Sequence, residues 1–221
     1  MATKSNTASR NEFLRTDTSN PNFNAIFKFN TDPTRPGMTQ ITLPENSTWT
    51  PGLHWHERHV EYFRVVKGAV LVRSNGVLKL VTPEDGDHRI EKLVVHEFMR
   101  ADSSKPASEK DSGEVITEEW TDPDDGIKAL FFRNIFSTLE DSERYWKRWT
   151  YLQAIYTAAH SDDWVQVVPG RLSWASTHAL YVFVRGIGGL AGLKPWQEEY
   201  TPESLRGAAR ALEDLERTKV D

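Results

Sequence analysis

Between Phe23 and about Trp120 the apolar positions fall in short runs broken by turn residues, over 25–29, 40–43, 61–66, 69–73, 77–81, 92–99 and 115–120. Runs of this length, rich in β-branched residues, predict strands. Lys67-Gly68 and Ser74-Asn75-Gly76 separate successive runs, and Asn-Gly is the favoured dipeptide of a two-residue hairpin. The pattern therefore predicts a meander of antiparallel strands. A Ser/Lys/Glu-rich stretch over 101–114 predicts a long loop ahead of the last strand.

Beyond Pro123 the period changes. Ile127, Leu130, Phe131, Ile135 and Phe136 mark one helical face, and Trp146, Trp149, Leu152, Ala154 and Ile155 mark a second. Residues 172–193 are apolar but interrupted by His178, Arg185 and four glycines, so no run reaches the length of a membrane span. A buried helix with a Gly-rich turn, or a dimer contact, is expected there, with a peripheral membrane contact as the lesser reading. The Gly-x-Gly-x-x-Ala within it lacks the βαβ setting of a dinucleotide fingerprint. A final helix is expected from Thr201 as N-cap and Pro202 as first residue, with Leu205, Ala209, Leu212 and Leu215 on one face. Three regions result: a polar arm over 1–22, a β-domain over 23–122 and a helical extension over 123–221 packed on it.

Composition narrows the chemistry. The chain has 221 residues, a net charge of −5 and no clustered basic surface, which argues against a nucleic-acid partner. It has no cysteine, so disulfides and thiolate ligands are excluded, and any metal must be held by His and carboxylate. The first 13 residues lack the apolar core of a signal peptide, and a cytoplasmic protein is expected. The aromatic cluster Tyr145, Trp146, Trp149, Tyr151 and Tyr156 is expected in a core.

The most informative stretch is His54-Trp55-His56-Glu57-Arg58-His59-Val60-Glu61, running on to Gly68. In a strand, residues two apart share a face, so His54 and His56 project together while Trp55 points away. Glu61 opens the next apolar run, and a turn between the two segments brings its carboxylate beside the imidazoles. Such a set suits Fe, Mn, Ni, Zn or Cu better than Mg or Ca.

The spacing His54-x-His56, Glu61 and Gly68 resembles the first signature of the cupin superfamily. The resemblance implies a small antiparallel, jelly-roll-like β-barrel, mainly β with the helical extension appended, that binds one divalent metal ion. It also implies His96, in the apolar run 93–98, as the fourth ligand, with His88 as its rival. The second signature departs from the family: Glu91 and Leu93 stand where Pro and Gly are usual, and Arg100 where Asn is. Residues 195–202 resemble the tails of small fungal cupins encoded with natural-product pathways.

The resemblance implies a metal-dependent enzyme acting on an apolar or aromatic small molecule in secondary metabolism. Its reaction would be oxygenation, or Lewis-acid isomerisation, cyclisation or decarboxylation. Glu57, His59 and Arg64 are the candidates for proton transfer or substrate anchoring. The alternatives are a non-catalytic binding or scaffold cupin and a metal-independent cyclase or isomerase. A homodimer is the oligomeric state the resemblance implies.

Overall fold

The computed structural model describes residues 3–17, 19–32, 34–103 and 113–217. The chain divides into two compact units: Asn11–Asn30 with Met38–Pro123, and Met1–Arg10 with Thr31–Gly37 and Asp124–Asp221. Most of the loop expected over 101–114 lies outside the described residues.

The first unit contains strands β1 (Glu12–Asp17), β2 (Asn20–Phe29), β3 (Thr39–Leu43), β4 (His54–Trp55), β5 (Val60–Lys67), β6 (Val70–Ser74), β7 (Val77–Val81), β8 (Asp87–Ile90), β9 (His96–Arg100) and β10 (Val115–Asp122). Two antiparallel sheets form, ordered β1-β2-β3-β10-β5-β8 and β4-β9-β6-β7. Alternation is clean: in β3 and β10 every second residue is buried, so Thr39, Ile41 and Leu43 share an inner face with Val115, Thr117, Glu119 and Thr121. Inner rings bring the two sheets together, with Phe63 of β5 and Phe98 of β9 at a centroid distance of 5.0 Å and Trp49 against both Phe27 and Phe98. The expected mainly β, jelly-roll-like core with helices after it is what the chain forms.

Two turns show why their residues stand where they do. Asn75 and Gly76 both take positive φ, 47° and 82°, as a two-residue hairpin between β6 and β7 requires. Gly68 has φ of 78°, and a Cβ there would come within 2.8 Å of Val115. The end of β9 is closed by Arg100, buried with Asp102. Its guanidinium donates to both carboxylate oxygens, each at 2.9 Å, and to the carbonyls of Leu43, Pro44 and Gly113.

The amino-terminal region differs from the expected arm. Glu12–Asp17 pairs with β2 as an edge strand, burying Phe13 against Phe29. Its polar alternation hid it, because an edge strand needs only one buried residue in six to dock.

The second unit holds helices α1 (Ile127–Glu140), α2 (Thr150–His160), α3 (Ser173–Leu190) and α4 (Arg206–Arg217) and a short strand β11 (Trp164–Val165). Phe131, Ala158, Ala159 and Tyr181 are its core, where α1, α2 and α3 meet. Asp141, buried past α1, accepts from Ser5 N–H at 2.7 Å, Ser5 Oγ–H at 2.6 Å and Tyr200 Oη–H at 2.6 Å, so Ser5 is pinned within this unit. Burial and that bond to Asp141 hold the Tyr200 phenol far above its ordinary range. α4 starts at Arg206, later than Thr201-Pro202 implied; Thr201 Oγ1 instead accepts from Asn134 Nδ2 at 3.3 Å. Leu205, Ala209 and Leu212 are buried as the stripe predicts, and the Leu215 side chain lies outside the described residues. α3 is not the buried helix expected: its buried line is confined to Ser173, Thr177, Tyr181, Val184 and Gly188. Of the aromatic cluster, Trp146 and Tyr156 are buried and Tyr145, Trp149 and Tyr151 are exposed.

Candidate metal centre

Three strands supply four ligand groups. His54 lies on β4, His56 one residue past its end, Glu61 on β5 and His96 on β9. All four are buried, and one ligand atom from each lies within 4.8 Å of the others. Two separate pieces of backbone geometry produce this. The turn between β4 and β5 sets the His56 and Glu61 side chains together, with His56 Nε2 donating to Glu61 Oε2 at 2.9 Å. The β4–β9 ladder sets His54 opposite His96, ring centroids 4.3 Å apart.

The imidazoles are oriented from behind. His54 Nδ1–H donates to the Gly52 carbonyl and His96 Nδ1–H to the Val94 carbonyl, each at 2.8 Å. A carbonyl can only accept, so the proton of each neutral ring sits on Nδ1 and the Nε2 lone pair is available inward. His96 Nε2 is fully buried with no hydrogen-bond partner, 3.5 Å from Glu61 Oε1. A buried acceptor without a partner is costly in a folded protein. An ion at this point would satisfy it. Three imidazoles and a carboxylate also form the donor set of a transition-metal site, so the residues fit a divalent metal.

Electrostatics keep the site ready for a cation. Burial holds the His54 imidazole well below its ordinary pKa, reinforced by His96 and His56 beside it and opposed by Glu61. The His54 ring is thus held neutral, the state in which an imidazole ligates.

His88 lies outside this group. It faces Phe63 across β5–β8, two residues from Ile90, which is itself opposite Glu61. Burial keeps its pKa below the ordinary value. Glu57 is half-buried and accepts from Trp55 Nε1–H at 3.3 Å. His59 is buried. Arg64 is exposed on the face of β5 opposite Glu61, its Nε–H donating to Asp87 at 2.6 Å, so the strand directs it away from the ligands. Glu97 is buried rather than at the surface, held by Thr50 at 2.9 Å and Arg73 at 3.1 Å.

Leu93, where the family signature has Gly, takes the left-handed conformation at φ of 65°, and its N–H donates to the His56 carbonyl at 2.7 Å. That bond ties the approach to His96 to the His54-His56 segment. Glu119 was not singled out from the sequence. It is buried opposite Phe63 and Thr39 on the inner face, two residues along β10 from Thr121, the partner of Glu61. The alternation of Val115, Thr117, Glu119 and Thr121 was the available signal.

Strand order and ligand spacing agree with the cupin resemblance. No family model matches the chain. A protein of Aspergillus clavatus named probable oxidoreductase patJ is 30% identical over 165 residues, 69% of this chain and 47% of that protein. One of Hypocrea virens named probable oxidoreductase virH is 28% identical over 171 residues, 73% of this chain and 72% of that one. The chain spans about half the length of the patJ proteins it matches. Among solved structures, a predicted oxalate decarboxylase of Thermotoga maritima aligns at 14% identity and a TM-score of 0.34, over 43% of this chain and 77% of that one.

Proposed function

We propose that the chain is a metal-dependent oxidoreductase that transforms an apolar or aromatic small molecule in secondary metabolism. The observation that carries this reading is the buried group of His54, His56, Glu61 and His96, with two imidazoles anchored from behind and one Nε2 left bare. The oxidoreductase names of the curated relatives support oxidation over isomerisation, cyclisation or decarboxylation. When bound, a divalent ion supplies Lewis acidity or, as iron, a centre for oxygen activation.

The chain's own residues would do the rest. His54, His56, Glu61 and His96 hold the ion. Phe63 and Phe98, each two residues from a ligand on the same inner face, supply apolar surface beside it and keep water out. Burial close to the ligands supports His59 and Glu57, rather than exposed Arg64, for proton transfer.

Metal analysis of protein purified without added ions, followed by oxygen-uptake measurements with candidate phenols, tests the proposal. Iron with substrate-dependent uptake is expected; zinc with no uptake for any phenol overturns the oxidative reading.

A further inference from the structure

The exposed side of α3 is apolar along its length. On its outer side Val182 and Phe183 are more than half exposed, Ile187 is partly so, and Leu190, at 93%, is almost wholly in solvent; Trp174, exposed around the other side of the first turn, stacks on His178. Leu172, just before the helix, is 71% exposed. The helix carries one charge, Arg185, and its guanidinium donates to the Ala159 carbonyl on α2 rather than reaching outward. Contiguous apolar surface of this kind marks an interaction site.

The charge around it indicates the partner. From Trp164 to Gln197 the sequence has no Asp or Glu, where the chain's average composition would place about five. Exposed Arg171 and Lys194 flank the helix. α2 packs antiparallel on α3, with Tyr156 against Gly188 and Ala159 bound by Arg185. Exposed Trp149 and Tyr151, with Lys147 and Arg148, therefore sit toward the Leu190 end. An acid-free apolar helix bordered by cations and aromatic rings, on a chain of net charge −5, is complementary to an anionic lipid surface. No described helix is long and apolar enough to cross a membrane, so α3 would lie in the plane of the interface. A second copy fits less well. Antiparallel pairing of two α3 faces would set Arg171 of one near Lys194 of the other, with no acid on either helix between them.

The geometry points to α3 as a peripheral membrane-docking face that binds bilayers bearing anionic headgroups. Co-sedimentation of the full chain with phosphatidylcholine vesicles, with and without phosphatidylserine as a third of the lipid, tests it. The wild-type chain should partition onto the anionic vesicles at least about fivefold more than onto neutral ones, and less at high salt, since one basic residue near such a surface is worth roughly that factor. A Phe183→Asp, Leu190→Asp variant should lose binding to both with its melting temperature unchanged, because both side chains face solvent. An Arg171→Ala, Lys194→Ala variant should lose the preference for anionic lipid. Three results overturn the proposal: no vesicle binding by the wild type, anionic preference that survives loss of both cations, or a dimer in sedimentation that Phe183→Asp, Leu190→Asp converts to monomer while vesicles bind neither form.

Discussion

His54 and His96 stand directly opposite each other in the β4–β9 ladder, although 42 positions separate them in the sequence. This pairing, not the His-x-His spacing, brings His96 beside His54, His56 and Glu61. His96→Ala should therefore cost more than about 100-fold in metal affinity, since even groups that only orient ligands cost 10- to 100-fold. Competition against a chromophoric chelator measures it. Affinity equal to wild type would remove His96 from the site.

Acid should weaken the metal-free protein at the same place. The His54 imidazole is held below its ordinary pKa by burial, so the unfolded chain takes up a proton near pH 6.5 that the folded chain resists. The stability is fully present above that pH and is lost as pH falls toward the folded value. Urea midpoints of chelator-treated protein should drop from pH 7.5 to pH 5.5, and added zinc should raise the midpoint at pH 7.5. A midpoint that rises on acidification contradicts the assignment.

Leu93 holds a conformation that favours glycine, at a cost of about 1–2 kcal/mol. Leu93→Gly should relieve it, partly offset by the greater freedom glycine has when unfolded, for a net gain of up to about 1 kcal/mol. Its side chain is exposed, so little packing is lost. Equilibrium denaturation is the measurement, and a clear loss of stability would show that the leucine side chain matters more than its backbone.

Arg100→Met takes the guanidinium away from the buried Asp102 carboxylate and from the carbonyls of Leu43, Pro44 and Gly113, of which Pro44 keeps the N–H of Ser47. Breaking a buried pair in this way costs about 3–5 kcal/mol. Removing both charges, in Arg100→Met, Asp102→Leu, should recover much of that. A double variant no better than the single would mean that the carbonyl contacts, not the ion pair, hold this corner.

Much of the fold was legible because burial imposes period. β2, β3, β5 and β6 bury alternate residues and α1 and α4 bury helically spaced apolar ones, whereas β7 buries only Val81 and α2 buries Gln153, Tyr156 and Thr157 rather than the expected line of Trp149, Leu152 and Ile155. What stayed hidden had no such pattern: β4 is two residues long, β8 buries only Ile90 of its four residues, and β1 buries one side chain. At the site, His54, His56 and Glu61 follow from local geometry. His96 needed a long-range ladder, and Glu119 needed the alternation of β10 to be read from a strand whose inner face is mostly Thr and Glu. α3 misled because most of its residues are apolar. Composition reports how much apolar surface a helix carries, not how much of it is covered.

The three-strand origin of the ligands has a mechanical meaning. In a chain without cysteine, an ion joining residues 54 and 96 would close a loop of some 40 residues and restrict the unfolded chain much as a disulfide does. The centre that would carry the chemistry would thus also be the chain's one removable cross-link.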